Sequence, residues 1–245
     1  MANLLDYSTW TLGTGSTTGF SATGNASVEN ERLYAADPWG KQAIVWEVTT
    51  EDDTGYGGGW HTGTVPVDYN YMYRFSAYTR RLGESGERDL FGCNVYNASS
   101  SMLNLTRKDN ASTTTNVYFD YWYGGATYFE DWMLMVVFVW PYGTSLDGVN
   151  HPHTGIWRVS DGVKAATPED WVFVDTNTTK ARQRLFYYDS TDKLPGFISH
   201  YIYPRIEKCD GTELPIQWLF RGPNAILLGK ATGLGNVLIG PKEWH

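Results

Sequence analysis

Nowhere in this chain do apolar residues recur at the three-and-four spacing of an amphipathic helix for as many as three turns. Short runs of β-branched and aromatic residues alternate instead with clusters of Gly, Asn, Asp and Ser from one end to the other, which is the punctuation of strands and turns. The expectation is an all-β chain, a two-sheet antiparallel β-sandwich of the jelly-roll type. The strand candidates are residues 42–49, 71–80, 89–96, 116–122, 132–140, 155–159, 181–188, 198–203 and 215–220. Within 71–80 the side chains split by period two, Tyr71, Tyr73, Phe75 and Ala77 on one face and Met72, Arg74, Ser76, Tyr78 and Arg80 on the other. One face then belongs to a core and the other to solvent or ligand. Residues 181–188 mix two arginines with aromatics, as suits a strand with an amphipathic outer face, whereas 132–139 is apolar on both faces and belongs centrally.

A length of 245 residues suits one such sandwich. Hydrophobic residues make up 42% of the chain, enough for a sizeable core. The formal net charge of -8 counts against a nucleic-acid partner, because phosphate binding needs clustered Lys and Arg. The apolar run 133–140 stops at Pro141, well short of the roughly 18 residues of a membrane span, so no membrane insertion is expected. At the N-terminus no basic stretch precedes an apolar one, so no secretory signal is read there. Cys93 and Cys209 each stand alone in a strand-like segment and are expected as buried free thiols, outside any disulfide framework. After Arg221 the aromatics disappear until Trp244 and spaced glycines take their place. The expected division is a sandwich domain, 1–221, and a C-terminal extension, 222–245, that packs on the domain or on a neighbouring subunit.

The chain holds 11 Trp, 17 Tyr and 10 Phe, most of which a sandwich core absorbs. Those in Gly- and Asp-rich segments have no such use. Tyr56 and Trp60 flank Gly57-Gly58-Gly59, and Trp122 and Tyr123 precede Gly124-Gly125. A flat ring covers the apolar face of a pyranose while polar neighbours take its hydroxyls, so these four are candidate carbohydrate-binding residues. Arg74, Tyr78 and Arg80, on the outer face of 71–80, join them as a groove for anionic glycans, because a guanidinium offers a planar fork to carboxylate or sulfate. Asp52 and Asp53, in the acidic run that begins at Glu51, are candidate calcium ligands; without the spaced EF-hand pattern, a solvated turn is the weightier reading. His151-Pro152-His153 reads as a loop with two exposed imidazoles. No catalytic motif stands out. Glu47, Asp120 and Asp189 are the strand or strand-end carboxylates from which a glycosidase pair would have to come.

Asn3-Leu4-Leu5, Trp10, Gly19 and Gly24, then 43–48 (AIVWEV), the Gly57–Trp60 run and 73–78 (YRFSAY) follow one another in the order seen in family-four carbohydrate-binding modules, which the N-terminal half resembles. Trp132-Met133-Leu134, the stretch 182–188, Tyr203-Pro204-Arg205-Ile206 and Asp210-Gly211-Thr212-Glu213 resemble receptor-binding domains of phage and viral tail fibres. Together the resemblances span about residues 3 to 220. They imply a jelly roll that binds a cell-surface or extracellular polysaccharide, a structural calcium, a homotrimeric assembly, and a place in a virion tail or outside the cell. Two readings compete with this: a polysaccharide lyase or glycoside hydrolase on the same sandwich, and a ligand-free structural virion component.

Overall fold

A computed structural model describes residues 3–49, 56–82, 88–122, 130–188 and 198–221. The first strands are β1 (Gly13–Thr14), β2 (Phe20–Ala22), β3 (Asn30–Ala36), β4 (Gln42–Thr49), β5 (Tyr56–Thr62) and β6 (Val65–Pro66). The middle of the chain supplies β7 (Met72–Leu82), β8 (Arg88–Tyr96), β9 (Met102–Leu103), β10 (Leu105–Arg107), β11 (Thr113–Thr114) and β12 (Val117–Trp122). The remainder are β13 (Met133–Trp140), β14 (Gly155–Arg158), β15 (Lys164–Ala166), β16 (Trp171–Phe173), β17 (Lys180–Tyr188) and β18 (Ile198–Cys209).

Among the described residues these strands form two sheets. The larger has eleven strands in the order β1-β3-β4-β18-β7-β13-β16-β10-β11, with β14 and β15 added beside β13. The smaller has seven, β12-β8-β17-β5-β2 with β6 and β9 at its margins. Neighbours pair antiparallel except β13 with β16. The fold is the expected all-β sandwich. Residues Met1–Glu213 make one compact unit and Leu214–His245 a second. The second unit contains a one-turn helix, α1 (Ile216–Leu219), where 215–220 was expected to be a strand. Pro215 stands just before it as the N-cap residue, with φ -52° and ψ 137°, and the buried residues of the helix, Ile216 and Leu219, stand three apart as a helical turn requires.

Aromatic rings from both sheets fill the space between them. Phe75 of β7 meets Phe119 of β12 at 5.4 Å, and Trp60 of β5 meets Trp46 of β4 at 5.6 Å and Tyr201 of β18 at 5.5 Å. Trp10, from the segment before β1, closes the group at 5.4 Å from Trp60 and 5.6 Å from Trp46. Trp60 is 0% exposed. The expectation that the glycines before it would present its ring to solvent is thereby overturned. Gly57, Gly58 and Gly59 are part of strand β5, and they serve a close approach. A Cβ at Gly58 would stand 2.1 Å from the Glu29 carbonyl oxygen, and one at Gly59, whose φ is +143°, would stand 2.3 Å from the Leu185 carbonyl oxygen. The Asn30 side chain locks this approach. Its Oδ1 accepts from the Trp46 indole N–H (2.9 Å) and the Gly59 amide (2.7 Å), and its Nδ2 donates to the Thr23 carbonyl (2.8 Å).

A second tie between the sheets is polar. The Asp89 carboxylate of β8, 0% exposed, accepts from Thr79 Oγ1 (2.9 Å) and Arg81 Nε (3.2 Å) of β7, and from Ser199 Oγ (3.2 Å) and Tyr201 OH (2.6 Å) of β18. Burial, first, and the Asp89 charge keep the Tyr201 phenol protonated as a donor, its pKa well above the usual 10.0.

The period-two reading of β7 holds from residue 73 onward. Tyr73, Phe75 and Ala77 enter the core, while Tyr71 precedes the strand and is 40% exposed, with the Lys208 ammonium 3.2 Å above its ring centroid. All of β13 but Trp140 is buried, as its apolar sequence requires. Cys93 and Cys209 are both free, Cys93 buried and Cys209 only half-buried, and burial pushes both thiols up to about 12.

Trp60→Ala should behave as a core deletion, lowering unfolding stability by about 3–5 kcal/mol in a chemical denaturation curve. A change of only a few tenths would return the ring to the surface.

Candidate functional site

Of the residues nominated from sequence, Trp60 lies in the core and cannot share a ligand surface with the others. Arg74, Tyr78 and Arg80 do share the outer face of β7, but that face is covered. Arg74 is 3% exposed and its guanidinium binds the Glu207 carboxylate through Nε at 3.0 Å and Nη2 at 2.6 Å. Tyr78 is 2% exposed, closed over by Trp39 at 5.5 Å and Tyr203 at 6.0 Å. Arg80 is half-buried, 5.0 Å above the Trp132 ring, with Nη2 3.0 Å from His200 Nδ1. An arginine can only donate, so Nδ1 accepts and the opposite ring nitrogen donates to Glu47 Oε2 at 2.8 Å. Glu47 is thus half of a Glu–His contact. These contacts correct the reading of 71–80 as an open ligand face: covering segments and internal pairing leave Arg74 and Tyr78 no free surface.

Tyr56 stands opposite Tyr188 in the β5–β17 register, and Trp122 opposite Asp89 in the β12–β8 register. Tyr123, Asp52, Asp53 and Asp189 lie outside the described residues. Among the described residues no group of three or more His, Cys, Asp or Glu is arranged to hold a metal. His151 and His153 are half-buried where exposed imidazoles were expected. The His151 ring lies 3.8 Å from that of Phe138, and its Nδ1 accepts from the His153 amide at 3.2 Å.

What the fold does assemble is a groove on the outer face of the seven-stranded sheet. Along β17, Ala181, Leu185 and Tyr187 enter the core, and Arg182, Arg184 and Phe186 take the alternate positions. Register places Ser21, His61, Arg184, Gly92 and Tyr118 in one row across β2, β5, β17, β8 and β12. Gly92 is the gap in that row. A Cβ there would lie 2.2 Å from the Val117 carbonyl oxygen. With no side chain in between, Arg184 reaches across β8, places its guanidinium 4.7 Å over the Tyr118 ring and donates from Nη2 to the Val117 carbonyl at 3.1 Å.

The resulting cavity, of about 540 Å³, is lined by His61, Asn116, Tyr118, Arg184, Phe186 and the Ala22–Gly24 segment. The Phe186 ring packs edge-on to both His61 (6.1 Å) and Tyr118 (6.3 Å). Asn116 is exposed and donates from Nδ2 to the Tyr118 hydroxyl at 2.8 Å. Two flat rings, a guanidinium, an imidazole and a carboxamide thus face one concave space, the composition of a site for a polar ligand with apolar faces. Burial, with smaller contributions from Arg182 and Arg184, lowers the His61 pKa from 6.5 to about 4. The imidazole is neutral near pH 7 and offers one donor and one acceptor. The signal for this site was the pattern of 181–188, where arginines and an aromatic occupy every second position; His61, Asn116, Tyr118 and Phe186 carry no motif and are found only through strand register.

No family model matches this chain, and no curated protein matches it. Among solved structures it is similar to an exo-β-agarase at TM-score 0.39 and 12% identity, over 81% of this chain and 23% of the agarase chain. It is also similar, at TM-score 0.30 and 10% identity, to the xyloglucanase domain of a type three effector from Sinorhizobium fredii in complex with cellobiose, over 80% of this chain and 96% of that one. These neighbours are carbohydrate-active proteins.

The lowered pKa of His61 makes an acid-stability prediction. Above pH 6.5 both folded and unfolded chains hold it neutral and its favourable contribution is fully present; between 6.5 and about 4 only the unfolded chain takes up the proton, so stability falls with pH. In His61→Gln, melting temperatures measured across this window should decline less steeply than in the parent protein.

Proposed function

We propose that this domain binds a glycan chain in the groove on the outer face of the seven-stranded sheet. The observation that carries the reading is the lining of the cavity, with the Tyr118 and Phe186 rings set beside Arg184, His61 and Asn116. A pyranose presents apolar C–H faces and a rim of hydroxyls; rings cover the first, and amide, imidazole and guanidinium groups bond the second. The lining favours binding over hydrolysis, because among the described residues it brings no carboxylate, and a glycosidase requires a pair of them across the scissile bond. A release assay for reducing or unsaturated sugar ends separates the two.

The finer role we attach to this binding is adhesion to a cell-surface polysaccharide, as in a phage or viral tail-fibre domain working as a homotrimer. Its support is the sequence resemblance carried by Trp132-Met133-Leu134 and Tyr203-Pro204-Arg205-Ile206.

Tyr118→Ala should weaken binding on a glycan array or in affinity electrophoresis by about tenfold or more, as loss of a stacking hot spot does. Because Tyr118 is only half-buried, the melting temperature should move by about a few degrees. Undiminished affinity would exclude the groove as the site. For the assembly, a chain ending at Arg221 should lose the native mass in light scattering; retention of that mass removes 222–245 from the subunit contact.

A further inference from the structure

Buried arginines elsewhere in the sandwich are matched by acceptors. Arg74 meets Glu207 at 2.6 Å and Arg81 meets Asp89 at 3.2 Å. Arg32 donates to the carbonyls of Thr11, Thr14 and Gly15. The two arginines on the outer face of β17 are matched far less well. Arg182 donates from Nε to Asn94 Oδ1 at 2.9 Å, and Arg184 from Nη2 to the Val117 carbonyl at 3.1 Å. Neither has a carboxylate partner among the described residues. Arg184, which lines the cavity, is 6% exposed, and its Nε is buried without a hydrogen-bond partner.

Two like charges two residues apart on one strand, desolvated and without a counter-charge, are unfavourable, and a bound anion would offset that cost. Their field reaches His61, where it adds to burial in disfavouring the imidazolium. The Tyr118 ring backs the Arg184 guanidinium at 4.7 Å, and a guanidinium, unlike an ammonium, can give two donors to the oxygens of one group. The protein as a whole carries a net charge of -8 and repels polyanions, so recognition of an anion here has to be local.

We infer that the glycan taken by this groove carries an oxyanion, a uronate carboxylate or a sulfate ester, and that Arg184 receives it, with Arg182, two residues along the strand, adding its charge. The inference rests on the glycan-binding reading and names the class of sugar.

The test measures affinity at physiological salt for matched polymers: a polyuronate against its carboxyl-reduced form, and a sulfated galactan against its desulfated form. One acidic member should bind about tenfold or more tightly than its neutral counterpart, the effect of a charge-assisted pair, and the pair that shows this identifies carboxylate or sulfate. Arg184→Lys keeps the charge but removes the fork and should abolish the preference, and Arg182→Gln should reduce it. Lys180→Gln removes one charge from the same strand, where Lys180 donates to the Ala98 carbonyl and Ser100 Oγ, and should leave the preference intact. Equal affinity for acidic and neutral members overturns the oxyanion and leaves glycan binding standing. Equal losses in all three variants reduce the effect to diffuse charge and overturn the inference. Binding of none of the four polymers by the parent protein overturns both readings. If circular dichroism shows Arg184→Lys to be unfolded, Arg182→Gln decides.

Discussion

At β5 the segment leading into β3 of the larger sheet comes so close that Gly58 has no room for a side chain, and the paired strand β17 leaves none at Gly59; the next residue, Trp60, occupies the space that the approach encloses. Trp10, Trp46, Phe20 and Tyr201 all meet that indole edge-on, an arrangement favoured by the quadrupoles of aromatic rings. The approach also fixes polar geometry, because the Gly59 amide and the Trp46 indole N–H share one acceptor, Asn30 Oδ1. Residues from the N-terminal segment, both sheets and the interior therefore converge on one strand. The N-terminal segment is fastened a second time at β18: Asn3 accepts the Ile206 amide and donates to the Pro204 carbonyl, across the irregularity between Ile202 and Arg205.

The candidate site uses the same device on the other face of the same sheet. Gly92 has no room for a Cβ, and its bareness lets a buried arginine lie across a neighbouring strand and rest on a tyrosine. Glycine thus does two jobs in this sandwich, allowing backbones to approach at β5 and leaving a row of the outer face open at β8. The groove depends on the core for its shape, since β17 contributes Leu185 and Tyr187 inward from the positions that alternate with Arg184 and Phe186.

Charge is distributed unevenly between the two sheets. In the larger one, the buried guanidinium groups of Arg74 and Arg81 are neutralised in place by Glu207 and Asp89, and that of Arg32 is held by three carbonyls, which fastens strands but removes those arginines from any exchange with a ligand. On the outer face of β17 the guanidinium groups have a carboxamide and a carbonyl for company. Internal pairs convert charge into structure; under the proposed reading, Arg184 at the cavity wall, without a carboxylate partner among the described residues, is the charge available to a ligand.

The all-β class, the separation of faces along β7 from Tyr73 onward, the central position of β13 and the amphipathic character of 181–188 were legible in the residues, because a strand exposes its side-chain period directly. The short helix at Ile216 was not, since four residues carry too little periodicity to distinguish a turn of helix from a strand. Nor was the burial of Trp60, because Gly-Gly-Gly reads equally as an open loop and as a backbone packed against another backbone, and only the neighbour across the gap separates the two. The same limit hid the groove. Its residues come from four strands that are distant in sequence, so which arginine meets a carboxylate and which faces a cavity depends on strand order and register. The sequence by itself determined that this chain builds a β-sandwich rich in aromatic rings and edged with arginines. The tertiary structure alone decided that the rings of Trp60 and Tyr78 are core and that Arg184, beside Tyr118 and His61, is the one left facing the groove, because pairing between strands brings together groups whose separation along the chain says nothing about their distance in space.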